Sequence, residues 1–227
     1  MDKQSGYRDE KLTNIRRLIA NNVYESISKM AQVTNHSSFN ATALLEYRKS
    51  FKERGQGITL NDIILFAVSR TLKKHPHLNA HFLDDKIRYF EDVNLGIAVD
   101  TERGLLVPTL FEADKKSLTE ISAESKRLVE SARSGRIDPE LLANGTFTLT
   151  NLGKYGVESF SPIINPPQTA ILGVCSVQVR FKEEDGKLIH YPAMGLSLTY
   201  DHRALDGATA AMFSKDLAIM LEVINSS

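Results

Sequence analysis

The stretch Leu196-Ser197-Leu198-Thr199-Tyr200 alternates apolar and polar residues, and from about Ala208 an apolar helical pattern takes over with Phe213, Leu217, Met220, Leu221 and Ile224. A period of two reads as a half-buried strand, and a period of 3.6 reads as a helix laid on a core. So short a connection sends the helix back over the sheet to which the strand belongs. The corner between them, Asp201-His202-Arg203-Ala204-Leu205-Asp206-Gly207, sets an imidazole between carboxylates. Rigid elements on both sides can hold such a side chain toward a cleft, which is how a general base is usually presented.

The rest of the chain repeats the alternation of strand and helix. Thr13 or Asn14 is the expected N-cap of a first helix with Ile15, Leu18, Ile19, Val23, Ile27 and Met30 on one face. A half-buried strand is expected over Val33 to Thr42, then a short helix from Ala43 through Arg48, stopped by Gly55 and Gly57. Leu60, Ile63, Ile64, Ala67, Val68, Thr71 and Leu72 mark the clearest helix, closed by Pro76. Three or four strands are expected between Leu78 and Leu110, with hairpin turns at Asp84-Asp85-Lys86 and Thr101 to Gly104, and then a helix over Leu118 to Ala132. Further strands are expected at Thr146–Thr150, Thr169–Val174, Gln178–Lys182, Lys187–Tyr191 and Leu196–Tyr200. Long helices among hairpin-connected strands predict an α/β two-layer sandwich, a mixed and largely antiparallel sheet with helices on one face. Residues 1–12 are polar and read as a flexible lead-in, with one domain over 13–227.

Several function classes lose their footing. Lys plus Arg equals Asp plus Glu at 28 each, so the overall charge gives no case for nucleic acid or an anionic membrane. The first thirty residues lack an apolar signal core, and no apolar run approaches the ~20 residues of a membrane span, so a cytoplasmic protein is expected. One cysteine, Cys175, sits in an apolar run and reads as a buried thiol in a reducing compartment. Zinc-type spacings are absent, including His-Glu-x-x-His and Cys-x-x-Cys, so no metal is expected. Gly-x-Gly-x-x-Gly, a P-loop and the Gly-x-Ser-x-Gly elbow are also missing.

Three segments can carry chemistry. His202 leads, with Asp201 and Asp206 as flanking carboxylates that either tune the imidazole or hold an arginine such as Arg203. Thr146 to Gly153 is a strand ending in Thr150 and Asn151, and a hydroxyl at a strand end can donate to a developing oxyanion. Phe160 to Gln168, stiffened by Pro162, Pro166 and Pro167, shapes either a channel or a loop.

Taken together, Asp201-His202-Arg203-x-x-Asp206-Gly207, Thr150-Asn151 and Ile164-Asn165-Pro166-Pro167-Gln168 resemble the catalytic domain of the dihydrolipoamide acyltransferases, relatives of chloramphenicol acetyltransferase. Arg103 to Pro108 and Arg16-Arg17-x-Ile19-Ala20 look like further family segments, and the wording at Ser38 to Leu45, Leu78 to Leu83 and Ala98 to Gly104 is closest to the acyltransferase of acetoin-cleaving complexes. The resemblance implies acyl transfer, most simply of acetyl, between a dihydrolipoyl thioester and coenzyme A. In it His202 is the base on the thiol, Thr150 the oxyanion donor and Asp206 a supporting residue, paired with an arginine such as Arg16 or Arg17. Arg16, Arg17 and Asn151 are the candidates for meeting coenzyme A, and the lipoyl group comes from a separate domain. A homotrimer is implied, with His202 and Thr150 supplied by different subunits, extensible to 24- or 60-subunit cores that engage a decarboxylase and a dihydrolipoamide dehydrogenase. Against the resemblance, no lipoyl or subunit-binding domain is read before residue 13, so either an excised catalytic domain or a shortened relative is expected, and Glu222-Val223-Ile224-Asn225-Ser226-Ser227 lacks the family's frequent Pro-x-x-Leu-Leu pattern. The rival readings are a silent trimeric scaffold and a free O-acetyltransferase, the latter expected to carry a His-His pair where Asp201-His202 stands.

Overall fold

The computed structural model describes residues 6–224, so residues 1–5 of the lead-in expected over 1–12 and the terminal Asn225-Ser226-Ser227 lie outside the described residues. Helices begin where the sequence offers caps. The Thr13 hydroxyl accepts the Arg16 N–H at 3.1 Å and opens α1 (Asn14–Lys29). The Asn40 side chain accepts the N–H and hydroxyl of Thr42, which ends β1 (Gln32–Asn40) and opens α2 (Thr42–Glu53), so Thr42 is helical rather than the strand end expected. Thr59 with Asp62 and Ser117 with Glu120 form reciprocal capping boxes at the starts of α3 (Leu60–Leu72) and α4 (Leu118–Ser134). The last helix is α5 (Gly207–Glu222).

Between Leu78 and Leu110 there are six short strands, more than expected: β2 (Ala80–Leu83), β3 (Lys86–Tyr89), β4 (Leu95–Ile97), β5 (Val99–Thr101), β6 (Gly104–Leu106) and β7 (Thr109–Leu110). The two expected hairpins are present as β2–β3 and β5–β6. After β8 (Phe147–Asn151), the four strands expected over 169–200 are two, β9 (Ala170–Glu184) and β10 (Lys187–Asp201). Their turn has Asp185 at φ 51° and Gly186 at φ 73°, the two-residue geometry that matches strand twist. The alternation is broken because Met194 pairs with Val177 and Leu196 with Val174, leaving Cys175 and Ser176 opposite Gly195 in a bulge.

The main sheet runs β1-β10-β9-β8-β4-β7. β1–β10, β10–β9 and β4–β7 are antiparallel, whereas β8 is parallel to both neighbours, β4 and β9, which makes the sheet mixed as expected. Its core face presents Leu149, Leu172 and Leu198 from adjacent strands to Ile64 and Val68 of α3 and Phe213 and Leu217 of α5, all buried. Each such side chain contributes roughly 1.5–3 kcal/mol by leaving water. The opposite face is held by directional bonds: Thr34 to Thr199 at 2.8 Å, His36 Nδ1 to Ser197 Oγ at 2.9 Å, and the Thr148 hydroxyl donating to Gln168 Oε1 at 2.6 Å. The proline-rich segment lies over this face, with the Phe160 ring so close to Gly173 that a Cβ there would meet it at 2.6 Å.

α1 departs from expectation. Leu18, Tyr24 and Ile27 remain exposed, and Ser26 is its only buried residue. The helix stands off the core, resting Ile15 and Ile19 on Gly104 and donating Ser26 Oγ–H to the Ile164 carbonyl at 2.6 Å.

Candidate active site

Two clusters face solvent at different ends of the sheet. The first is the turn after β10. Asp201 is fully buried, and its carboxylate accepts both Nε–H and Nη2–H of Arg203 at 3.0 and 2.6 Å. That hydrogen-bonded pairing holds the guanidinium above its ordinary range, although burial opposes it. Of the two roles open for the flanking carboxylates, Asp201 therefore holds Arg203.

His202 itself is nearly half exposed, at 46% for the side chain, so the cleft expected in front of it is not closed by this chain alone. Its Nδ1 lies 4.0 Å from Asp206 Oδ1, and its ring sits 5.8 Å from that of Tyr200. An Nδ1 turned toward a carboxylate leaves Nε2 for a substrate proton. Asp206 is the N-cap residue of α5, and among the described residues the charged or titratable side chain its carboxylate approaches is His202, not an arginine. Arg16 and Arg17 lie exposed on the first turn of α1, and among the described residues neither guanidinium has an acidic partner.

The second cluster is the end of β8, on the wall of an open cleft of about 1440 Å³ bounded by Leu60 of α3, Val129 of α4, Val99 of β5 and Met194 of β10. The three threonines of this strand and its approach differ in one respect. Thr146 donates to Asn79 Oδ1 at 2.5 Å and Thr148 to Gln168, whereas the Thr150 hydroxyl makes no hydrogen bond among the described residues. A donor left open on a cleft wall suits an oxyanion. Asn151 is engaged otherwise: its Oδ1 accepts the Gly153 N–H at 2.9 Å and its Nδ2 donates to Asn61 at 3.3 Å, which fixes the turn beside Thr150. Cys175 borders the same cleft, 2% exposed, and burial pushes its thiol up.

One chain does not bring His202 and Thr150 together. Thr150 pairs with Gly173, which pairs with Ser197, so these three are level across the sheet. Asp201 is four residues beyond Ser197, ~13 Å along the strand and two strand spacings of ~5 Å across, which separates the two clusters by about 16 Å. Sequence reasoning named His202, Thr150 and Asp206 as candidates, and the structure places His202 and Asp206 together at one turn and Thr150 apart from them. It did not find Phe82, whose ring lies 4.2 Å under the Arg203 guanidinium, because nothing local links that hairpin to the turn.

Comparison with known proteins gives one consistent picture. Residues 4–227 match the family model of the 2-oxoacid dehydrogenases acyltransferase (catalytic domain). The chain is 37% identical over 212 residues to the dihydrolipoyllysine-residue acetyltransferase component of the pyruvate dehydrogenase complex of Rickettsia bellii, covering 91% of this chain and 51% of that protein. The chain thus spans about half the length of such relatives. Among solved structures it resembles the dihydrolipoamide acetyltransferase of Azotobacter vinelandii, with a TM-score of 0.92 at 32% identity over 97% of this chain and 93% of that one. The cubic core of a pyruvate dehydrogenase multienzyme complex gives 0.93 at 33% over 98% and 94%. A chloramphenicol acetyltransferase, at 0.56 and 13% over 92% and 96%, shares the fold. The sandwich expected from the sequence is therefore this fold, and the chain belongs to the catalytic-domain family of the 2-oxoacid dehydrogenase acyltransferases.

Proposed function

We propose that the protein transfers an acetyl group between a dihydrolipoyl thioester and coenzyme A, in an active site completed by a neighbouring copy of the chain. The observation that carries this reading is the pairing of two complementary halves, an accessible imidazole at His202 and an unengaged hydroxyl at Thr150, too far apart in one chain to act on one atom. A cyclic trimer supplies the missing half from the next subunit.

The chemistry follows from the groups. His202 takes the proton of the coenzyme A thiol, and the thiolate attacks the acetyl carbon of the dihydrolipoyl thioester. The tetrahedral oxyanion accepts the Thr150 hydroxyl, and its collapse expels the dihydrolipoyl thiolate, which takes the proton back from the imidazolium. A positioned base contributes ~10²–10⁴-fold. Loss of an oxyanion donor costs ~10²–10³-fold. Arg16 and Arg17 offer cations for the phosphates of coenzyme A, and the lipoyl group arrives on a separate domain. A 24- or 60-subunit core that engages a decarboxylase and a dihydrolipoamide dehydrogenase is the larger assembly proposed, and likeness to a cubic core supports assembly beyond a trimer; a reducing cytoplasm is proposed from the one buried thiol. An acetoin-cleaving component is the finer proposal for the acyl source, and it leaves acetyl as the group transferred. No described helix is long and apolar enough to cross a membrane.

The test is steady-state transfer from acetyl-CoA, propionyl-CoA and isobutyryl-CoA to dihydrolipoamide. The expected result is a preference for acetyl, with kcat lowered at least ~10²-fold in His202→Ala and Thr150→Ala. A parent protein that transfers nothing would leave the scaffold reading in its place.

A further inference from the structure

We propose that Asp201, Arg203 and the ring of Phe82 form a clamp that positions His202. The inference rests on His202 being the base of the reaction proposed above. Within its own chain the His202 side chain has little to hold it, being nearly half exposed with one carboxylate 4.0 Å away, so what that chain contributes to its aim comes through its backbone. That backbone is fixed on both sides through one group. The Asp201 carboxylate accepts the Arg203 N–H at 3.1 Å and the Ala31 N–H at 3.3 Å, while the Ala31 carbonyl accepts the His202 N–H at 2.9 Å. The Asp201 carbonyl accepts the N–H groups of Ala204 and Leu205, closing the turn just after the imidazole.

A fully buried carboxylate is tolerated only when its charge is matched, and Arg203 matches it with the planar fork of its guanidinium. The guanidinium lies over Phe82 at 4.2 Å. Phe82 is itself held, its N–H donating to the Pro167 carbonyl at 2.8 Å. The clamp thus joins the β2–β3 hairpin, the start of β1 and the end of β10 around His202. Lysine cannot replace Arg203, because a point charge neither forks onto a carboxylate nor stacks flat on a ring.

The test uses Arg203→Met, Arg203→Lys and Phe82→Leu in the full chain, read by kcat and KM for both thiol substrates and by thermal unfolding. The expected result is a fall in kcat of about 10- to 100-fold in both Arg203 variants, the scale of a small misplacement, with KM within about twofold. Failure of Arg203→Lys to restore kcat distinguishes positioning from bulk charge, and Phe82→Leu should fall between parent and Arg203→Met. The second readout is NMR of ring-labelled histidine, with the His202 signal assigned by its absence in His202→Ala. One sharp signal in the parent that shifts or broadens in Arg203→Met supports the clamp. An unmoved signal, kcat within twofold of the parent, or full rescue by Arg203→Lys overturns it. A parent without transfer activity sinks the proposed reaction, and the NMR comparison still decides whether Arg203 fixes the imidazole.

Discussion

At the scale of single residues, the charges that matter are those the fold has removed from water. Asp114 is one: its side chain is 5% exposed, it accepts the Val93 N–H at 2.8 Å and it pairs with Lys73 at 3.1 Å. Burial alone would push this carboxyl up, but the Val93 amide and the Lys73 ammonium together hold it below the usual carboxylate value. A carboxyl depressed in the folded state adds stability that is fully present above the unfolded value of ~3.9 and fades as pH falls through the folded value. Asp114→Asn should therefore cost about 1–3 kcal/mol at pH 7, with parent and variant denaturant curves converging in acid. His81 acts in a higher window. Burial pushes its imidazole down, aided by Arg88, while the bond to the Gly145 carbonyl at 2.8 Å opposes the shift. The folded state binds its proton less readily than the unfolded chain, so this contribution is lost as pH falls below ~6.5.

At the scale of elements, α1 is the weakest joint. Gly104 has φ +124°, a conformation side chains rarely adopt, and a Cβ there would approach Ile19 Cδ1 to 2.7 Å. Gly104→Val combines about 1–3 kcal/mol of backbone strain with that clash, enough to raise the lifted population of α1 at least tenfold. Trypsin cleavage at Arg16 and Arg17 should accelerate accordingly, and unchanged cleavage would show that the hairpin does not seat the helix. The elements that were readable are those whose pattern is decided locally, such as the Thr13 cap and the apolar stripe of α3. The ribbon of β9 and β10 was not, because the bulge at Cys175 and Ser176 breaks the alternation that marks a continuous strand. The site divides in the same way. His202, Asp206 and Thr150 stand in motifs, whereas the distance between the imidazole and the hydroxyl depends on strand register, and Phe82 reaches Arg203 only through tertiary structure.

At the scale of the whole molecule, a site shared between copies makes a prediction that a self-contained chain does not. His202→Ala and Thr150→Ala, each inactive alone, should recover activity when unfolded and refolded together. In a cyclic trimer assembled at random from equal amounts, about a quarter of the sites pair an intact His202 with an intact Thr150. No recovery would place both residues in one chain's own site or outside the chemistry. The bulge opposite Gly195 adds a matter of phase. Between it and Asp201, the strand sets which way the turn carrying His202 leaves the sheet, and each residue reverses that direction. Deleting one residue between Leu196 and Tyr200 would swing the base to the other side of the sheet, whereas deleting two would keep its side and retract it by ~7 Å. The segment is thus a counted length, constrained in number as well as in the side chains it buries.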